Sequence, residues 1–365
     1  MARNPIQLRR KKYFKLSSQI AQMNNAQLRS LLDENEARAG WGRSHTIEIG
    51  QAKVFVKRIP VTDLEYANAF STQNMYDLPT YYNYGVGSAG FGAFRELVTH
   101  IKTTNWVLEG AIANFPLMYH YRIMPFAGPR ADVNMKRHRA YVEYWGDSAN
   151  VGRYLLDRAN ANNELVLFLE HVPYVLQTWL PAHSDQLHRS LDDVRATITF
   201  LRKHGVIHFD AHFSNIVTDG ERAYLTDFGL ALDRSFALSN EEALFYRRHT
   251  NYDYGEVLWC LGSLLVPAYD ALSEQNRRSV MDKCGISDET LPRERTPLLV
   301  NNIEEIAGDG IMELNEGYVA ALVKYRSIIT LMHDFYSNMW RDNRKNTKLR
   351  HAELGRLLKE TGFGS

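Results

Sequence analysis

One continuous segment, residues 190–231, limits the possible folds of this chain more strongly than any other part of it. It opens with "SLDDVRATITFLRKHG", whose apolar residues recur at 3-4-3 spacing, and this pattern predicts an amphipathic helix. Ser190 and Asp193 match a capping box, and Gly205 stands where a C-terminal cap belongs. "IVTDGERAYLT" then predicts a β-hairpin that turns at Asp219-Gly220.

Three polar residues stand out around this hairpin. Asp210 and Asn215 lie in the loop "HFDAHFSNIV" before it, and Asp227 follows its second arm in "LTDFGLAL". A buried carboxylate costs free energy unless it is paired or hydrogen-bonded. Because the arms are short, we expect Asn215 and Asp227 to converge on one ion. Two oxygen ligands, completed by phosphate oxygens and water, suit Mg²⁺, which leaves Asp210 to accept a proton from a hydroxyl.

The patterning of the 365-residue chain divides it into two parts. Strand patterns dominate roughly residues 40–172, and helical patterns dominate residues 173–365. The expected fold class is therefore α+β, with a small antiparallel sheet followed by a mostly helical body. The expected domains are a basic extension with a helix (1–37), a first lobe (38–172) and a second lobe (173–365).

Local patterns place elements in the first part. Residues 45–49 and 53–59 predict two strands joined at Gly50-Gln51, and residues 17–38 look helical. "RELVTHIKTTNWVL" predicts a helix, whereas "FPLMYHYRIMPF" and "ELVLFLEHV" predict strands. Residues 61–93 are expected to be irregular, because they are rich in Tyr, Asn and Gly.

Composition excludes several classes of protein. The net charge of +1 gives no global field for nucleic acid or a membrane. No apolar run is long enough to span a bilayer, and the N-terminus lacks the apolar core of a signal peptide. Cys260 and Cys284 are too few for a disulfide framework or a four-cysteine zinc site. A cytoplasmic location is expected.

The N-terminus is basic, with six Lys or Arg and no acid among the first 15 residues. One interpretation is a solvated, mobile tail. The other is an arm that docks an acidic partner or an anionic surface.

The motif H-x-D-x-x-x-x-N followed by D-F-G resembles the catalytic and metal-binding loops of the protein-kinase-like superfamily, which includes Ser/Thr protein kinases and aminoglycoside phosphotransferases. The resemblance covers roughly residues 38–265. It implies a bilobal fold with a sheet-containing nucleotide lobe and a helical lobe. It also implies ATP and Mg²⁺ as ligands, and transfer of the γ-phosphoryl group to a hydroxyl. Asp210 would be the catalytic base, and Asn215 and Asp227 the metal ligands.

The same resemblance assigns residues of the first lobe. Lys57, at the end of "KVFVK", stands at the position of the phosphate-binding lysine. Gly40 and Gly42 in "GWGRS" would form an abbreviated glycine loop over the phosphates. The acidic partner of the lysine is either Glu96 or Glu65, and Glu96 is preferred because it lies on a predicted helix.

Two further assignments follow from the resemblance. "FLEHV" resembles the segment that joins the lobes, so the backbone at Glu170 and Val172 would meet the adenine. Asp253 would steady the catalytic loop. "GVGSAG", Gly85 to Gly90, matches G-x-G-x-x-G but lies after Lys57, so we expect a turn that leads into the next helix.

The chain also departs from protein kinases. Phe209 replaces the Arg that commonly precedes the catalytic Asp, His212 replaces a Lys, and no A-P-E signature follows. These differences favour a hydroxyl-bearing small molecule as acceptor, and a Ser/Thr protein substrate is the alternative. A pseudokinase that acts as a nucleotide-binding scaffold is the alternative of another class. Acidic residues after 265 would form either a pocket for a cationic acceptor or a solvated face; they lie at positions 304, 305, 309, 313 and 316.

Overall fold

The computed structural model describes residues 5–33, 43–126 and 133–364 of the chain, which has an α+β fold. Up to residue 173 the elements are α1 (Pro5–Ala21), α2 (Asn25–Asp33), β1 (Arg43–Ile49), β2 (Ala52–Val61), α3 (Asp63–Ala67), α4 (Ala93–Glu109), β3 (Met118–Pro125), α5 (Met135–Tyr144), α6 (Ala149–Ala159) and β4 (Asn163–Glu170), with a 3-10 helix at Thr80–Asn83.

After residue 173 the elements are β5 (Tyr174–Val175), α7 (Leu176–Trp179), α8 (Leu187–Lys203), β6 (Val206–Ile207), β7 (Ile216–Thr218), β8 (Ala223–Leu225), β9 (Leu232–Asp233), α9 (Asn240–Arg248), α10 (Tyr252–Ser263), α11 (Leu265–Asp270), α12 (Glu274–Cys284), α13 (Pro292–Asn301), α14 (Ile303–Gly308), α15 (Glu316–Arg341) and α16 (His351–Thr361), with 3-10 helices at Leu180–Gln186 and Phe213–Asn215.

The chain forms two compact units, and each unit consists of two separate stretches of the sequence. The first unit contains Met1–Pro173 together with Tyr224–Tyr246. The second contains Tyr174–Ala223 and Arg247–Ser365. The Asp-Phe-Gly segment therefore belongs to the unit that holds the larger sheet, whereas Asp210 and Asn215 belong to the other unit.

The first unit is built on a four-stranded antiparallel sheet in the order β1-β2-β4-β3. β1 and β2 form the predicted hairpin around Gly50-Gln51, and Lys57 lies opposite Ser44 and Leu167. The predicted strands at β3 and β4 and the predicted helix at α4 are also confirmed.

Helix α4 covers one face of this sheet. Its Phe94 and Leu97 pack with Ile59 and Leu167 from β2 and β4 in a buried apolar core. Because side chains alternate along a strand, Lys57 points to the same face as Ile59. The alternation of side chains along β2 thus places Lys57 on the face of the sheet that is covered by α4, the helix that bears Glu96.

Two expectations for the first unit are wrong. The helix expected over residues 17–38 is divided, because α1 ends at Ala21 and α2 begins at Asn25. Helix α1 begins at Pro5, and Leu16 and Ile20 on it are buried, so the described part of the basic stretch is a packed helix and not a mobile tail. Helices α5 and α6 were not expected at all. Their start signals were present in the sequence, because Asn134 and Ser148 both cap helix N-termini with their side chains.

In the second unit, α8 buries the predicted apolar face. The predicted capping box is wrong, because α8 begins at Leu187, directly after a 3-10 helix, and this places Ser190 inside the helix. Gly205 follows the helix end with a φ of 85°, as expected for a C-terminal cap. Strands β7 and β8 flank Asp219-Gly220 as predicted, and β7 pairs with β5.

The remainder of the second unit is helical, as predicted, and α10 packs along α15. Among the described helices, none combines the length and apolar character of a membrane-spanning segment.

Candidate active site

In the first unit, Lys57 forms an ion-paired cluster with two carboxylates. Its Nζ atom lies 2.6 Å from Glu96 Oε1 and 2.7 Å from Asp227 Oδ1. Burial alone would lower the pKa of Lys57, but the attraction of Asp227 and Glu96 outweighs it and raises the pKa above its ordinary value. Lys57 therefore stays cationic at neutral pH. We call Lys57, Glu96 and Asp227 the Lys57 cluster.

Glu65, the other possible partner of Lys57, serves the start of α4 instead. It forms a capping box with Thr62, and its Oε1 accepts the Ala93 N–H at 2.9 Å. Gly92 has a φ of 106°, and a Cβ there would lie 2.7 Å from Glu65 Oε1. Glu65 thus holds the N-terminus of the helix on which Glu96 meets Lys57.

The Asp-Phe-Gly segment is fixed at each of its three residues. Asp227 has a left-handed φ of 63°, which is uncommon for a residue with a side chain, and its Oδ1 accepts the Gly229 N–H at 3.3 Å. Phe228 is fully buried, with its ring 4.8 Å from His100 and 6.1 Å from Phe115. The Asp227 side chain stays 39% exposed, so a ligand can reach its carboxylate.

The "GVGSAG" loop contacts this segment through its backbone. Phe91 N–H donates to the Gly229 carbonyl at 3.0 Å. Gly90 has a φ of 94°, and a Cβ there would come within 3.1 Å of the same oxygen. Only glycine combines that backbone angle with so close an approach. The loop leads into α4, as expected from its position after Lys57.

A buried ion pair joins α4 to the chain that follows Asp-Phe-Gly. Arg95, next to Glu96, lies 2.8 Å from Glu242 of α9, and both side chains are at most 2% exposed. The guanidinium sits over the rings of Phe91 and Phe236, and its Nε donates to the Thr72 carbonyl. This contact could not be predicted from local patterns, because its partners are far apart in the chain.

The Glu170 side chain is held by helix α1. Arg9 lies 2.6 Å from a Glu170 carboxylate oxygen and also donates to the carbonyls of Ala113 and Phe115. The Glu170 backbone N–H donates to the Leu117 carbonyl at 2.7 Å, so that group is already used inside the unit.

The other expected adenine contact, Val172, lies two residues beyond β4 and is partly buried. Gly40 and Gly42, expected to cover the phosphates, lie outside the described residues.

In the second unit, Asp253 at the start of α10 anchors the loop that carries Asp210. Its two carboxylate oxygens accept the N–H groups of His208 at 2.8 Å and Phe209 at 2.9 Å. Phe209 is fully buried with a φ of 63°, so the loop turns sharply before Asp210. Burial raises the pKa of Asp253 to about 6, and Asp210 adds to this rise, whereas the two N–H groups oppose it.

The Asp210 carboxylate is oriented by its own loop. Asn215 Nδ2 donates to Asp210 Oδ2 at 2.8 Å and to the Asp210 carbonyl at 3.0 Å. His212 Nε2 lies 3.4 Å from Asp210 Oδ1. Because Asn215 uses its nitrogen here, its Oδ1 is the atom suited to a cation. The structure thus brings Asp210, Asn215 and His212 together. Asp253 holds the backbone of the same loop just before Asp210.

Glu256 also supports the loop that carries Asp210, and this role was not predicted from the sequence. It accepts the Ala211 N–H at 2.6 Å and the Tyr336 hydroxyl at 3.1 Å. Burial, followed by repulsion from Asp210 and Asp253, raises its pKa well above the ordinary value. The signal was available, because Glu256 lies three residues after Asp253 and so shares its face of a helix.

Among the described residues, no three His, Cys, Asp or Glu side chains form a metal-binding group. Mg²⁺ that binds together with a nucleotide needs only one or two carboxylates. The reachable carboxylate of Asp227 fits that role, and the amide oxygen of Asn215 is a donor of the right kind.

Comparisons with known proteins add no assignment. The chain matches no protein-family model, and a search of curated proteins returns no match.

Proposed function

We propose that this chain is an ATP-dependent phosphotransferase with a bilobal, protein-kinase-like fold. The observation that carries the proposal is the Lys57 cluster, in which a cation is shared between Glu96 and Asp227 at 2.6 and 2.7 Å. Such a cation, kept charged in a partly buried place, is suited to bind phosphate oxygens. Its partner Asp227 comes from the one Asp-Phe-Gly of the chain.

The proposal gives each residue a separate task. Lys57 binds phosphate oxygens, and Glu96 holds Lys57 in place. Asp227 and Asn215 are the side chains that would hold Mg²⁺, and the ion would supply positive charge to the phosphates. Asp210 orients the acceptor hydroxyl and takes its proton. Phosphoryl transfer depends mainly on alignment and charge neutralisation, which are the tasks these side chains perform.

A small molecule is the preferred acceptor, on the grounds of Phe209, His212 and the missing A-P-E signature. Three of the five acids that could form a pocket for a cationic acceptor are instead in ion pairs. Glu304 pairs with Arg326, while Glu305 and Asp309 both pair with Lys283. A Ser/Thr protein acceptor stays the alternative.

The candidate of another class is a pseudokinase that binds nucleotide as a scaffold. Lys57, Asp210, Asn215 and Asp227 are all present, which favours turnover. We further propose a cytoplasmic location, since Cys260 and Cys284 are both buried free thiols.

The nucleotide site is tested by the shift in melting temperature that ATP causes, with and without Mg²⁺. A ligand at one hundred times its Kd adds about 2.7 kcal/mol of stability. We expect a Mg²⁺-dependent shift in the wild type that is lost in Asp227→Asn. The control is Glu109→Gln, which also removes one negative charge but from an exposed position at the end of α4. This variant should show the same shift as the wild type. No shift in the wild type at millimolar ATP would overturn the proposal.

A further inference from the structure

A groove in the first unit is lined by four lysines that lie outside the Lys57 cluster. It runs between α1 and the turn that joins β1 to β2, with a volume of about 360 Å³. Lys11, Lys12 and Lys15 come from α1, and Lys53 comes from the start of β2. Lys11 and Lys15 are one helical turn apart and so project together. We call this the lysine groove.

In the part of the chain that the structure describes, these lysines lack the carboxylate partners that other cations of the unit have. Within the described ranges, none of the four forms an ion pair, and no Asp or Glu lines the groove. By contrast, Arg9 on the same helix is paired with Glu170, and Arg58 on β2 is paired with Glu164. The charge concentration is local, since the whole chain has a net charge of only +1.

His171 lies close to the positive charges of the groove. Burial lowers the pKa of His171, and the nearby charges of Lys53 and Lys12 lower it further. Four like charges around one concave surface repel one another, and an anion bound among them would remove that cost.

We propose that the lysine groove binds a compact ligand that carries several phosphate groups. Each ammonium offers three donors on a flexible stem, which suits clustered phosphate oxygens. The volume lies within the usual range for small-molecule sites, about 300–1,000 Å³. Leu8 and Leu16 line the same groove and give it an apolar part. This site does not depend on the proposed phosphotransferase activity.

The test is calorimetric titration of inorganic tripolyphosphate at low ionic strength. We expect Lys11→Gln/Lys15→Gln to lose at least about tenfold in affinity, or about 1.4 kcal/mol. Lys203→Gln/Lys359→Gln removes the same charge from exposed positions on α8 and α16 and should bind as the wild type does. Both variants change exposed side chains, so folding should be preserved.

Lys57→Met is titrated in the same way. Three results would overturn the proposal: no binding by the wild type, equal losses of affinity in the two double variants, or a loss of affinity in Lys57→Met alone. The last result would place the anion at the Lys57 cluster. Vesicles that contain phosphatidylinositol bisphosphate identify the source of the phosphates. If the wild type pellets with them and Lys11→Gln/Lys15→Gln does not, the ligand is a lipid headgroup. If only soluble tripolyphosphate binds, the ligand is a soluble phosphate compound.

Discussion

At the scale of single residues, two buried acids of the first unit, Glu96 and Glu65, perform different tasks. Glu96 neutralises Lys57, whereas Glu65 binds the Ala93 N–H at the start of α4. Both carboxylates are buried, so burial does not distinguish their tasks. Their partners do, because one is a charged side chain and the other is a backbone group that needs an acceptor.

Replacing these two residues should therefore have different effects. Glu96→Gln keeps the shape of the side chain and removes the charge that faces Lys57, so we expect the rate of phosphoryl transfer to fall at least about tenfold. Glu65→Ala leaves buried N–H groups without an acceptor and should lower the free energy of unfolding by about 2 kcal/mol. Urea denaturation and a transfer assay measure the two effects. A wild-type rate in Glu96→Gln would contradict its assignment.

The raised pKa of Asp253 predicts that the free energy of unfolding depends on pH. Its pKa rises from 3.8 to about 6 in the folded state, so between these pH values the folded chain binds more protons than the unfolded chain. Stability from this group is therefore present at low pH and falls as the pH rises to about 6. The groups that face it are Asp210, Glu256 and the N–H groups of His208 and Phe209.

Asp253→Asn removes this titration. The unfolding free energy of the variant minus that of the wild type should therefore rise by up to about 3 kcal/mol between pH 4 and pH 7. A shift of about two pKa units corresponds to that amount. Urea unfolding at several pH values gives the difference. Parallel pH profiles for the two proteins would show that Asp253 does not titrate in this range.

At the scale of elements, most strands and helices followed from local patterns, and the exceptions have local causes. Helix α8 begins before Ser190, because the preceding 3-10 helix runs directly into it. The contacts of Arg9 with Glu170 and of Arg95 with Glu242 could not be predicted. Each joins residues more than 100 positions apart, and no short-range spacing marks such a pair.

The Arg95–Glu242 pair predicts strong coupling between α4 and α9. Breaking a buried pair by removing one partner typically costs about 3–5 kcal/mol, whereas replacing both with apolar residues is often neutral. Glu242→Leu should therefore be strongly destabilising, and Arg95→Met/Glu242→Leu should recover most of the loss. Urea denaturation of the single and double variants measures the coupling. Additive losses would show that the two side chains do not depend on each other.

At the scale of the whole molecule, the residues that the motif places close together in sequence belong to two compact units. Asp227 lies with Lys57 and Glu96 in the first, while Asp210, Asn215 and Asp253 lie in the second. The order of the motifs in the sequence identified the residues of both groups, and the local geometry of each group suits the tasks proposed for it.

The proposed phosphoryl transfer assigns turnover to Asp210 and nucleotide binding to Asp227. The most direct measurement is the release or transfer of phosphate from γ-labelled ATP by the wild type and Asp210→Asn, with Mg²⁺-ATP binding followed in parallel. We expect Asp210→Asn to keep binding but to lose turnover by about a hundredfold or more, and Asp227→Asn to lose binding. Equal turnover in the wild type and Asp210→Asn, or no turnover in the wild type while Mg²⁺-ATP binds, would refute the proposed transfer.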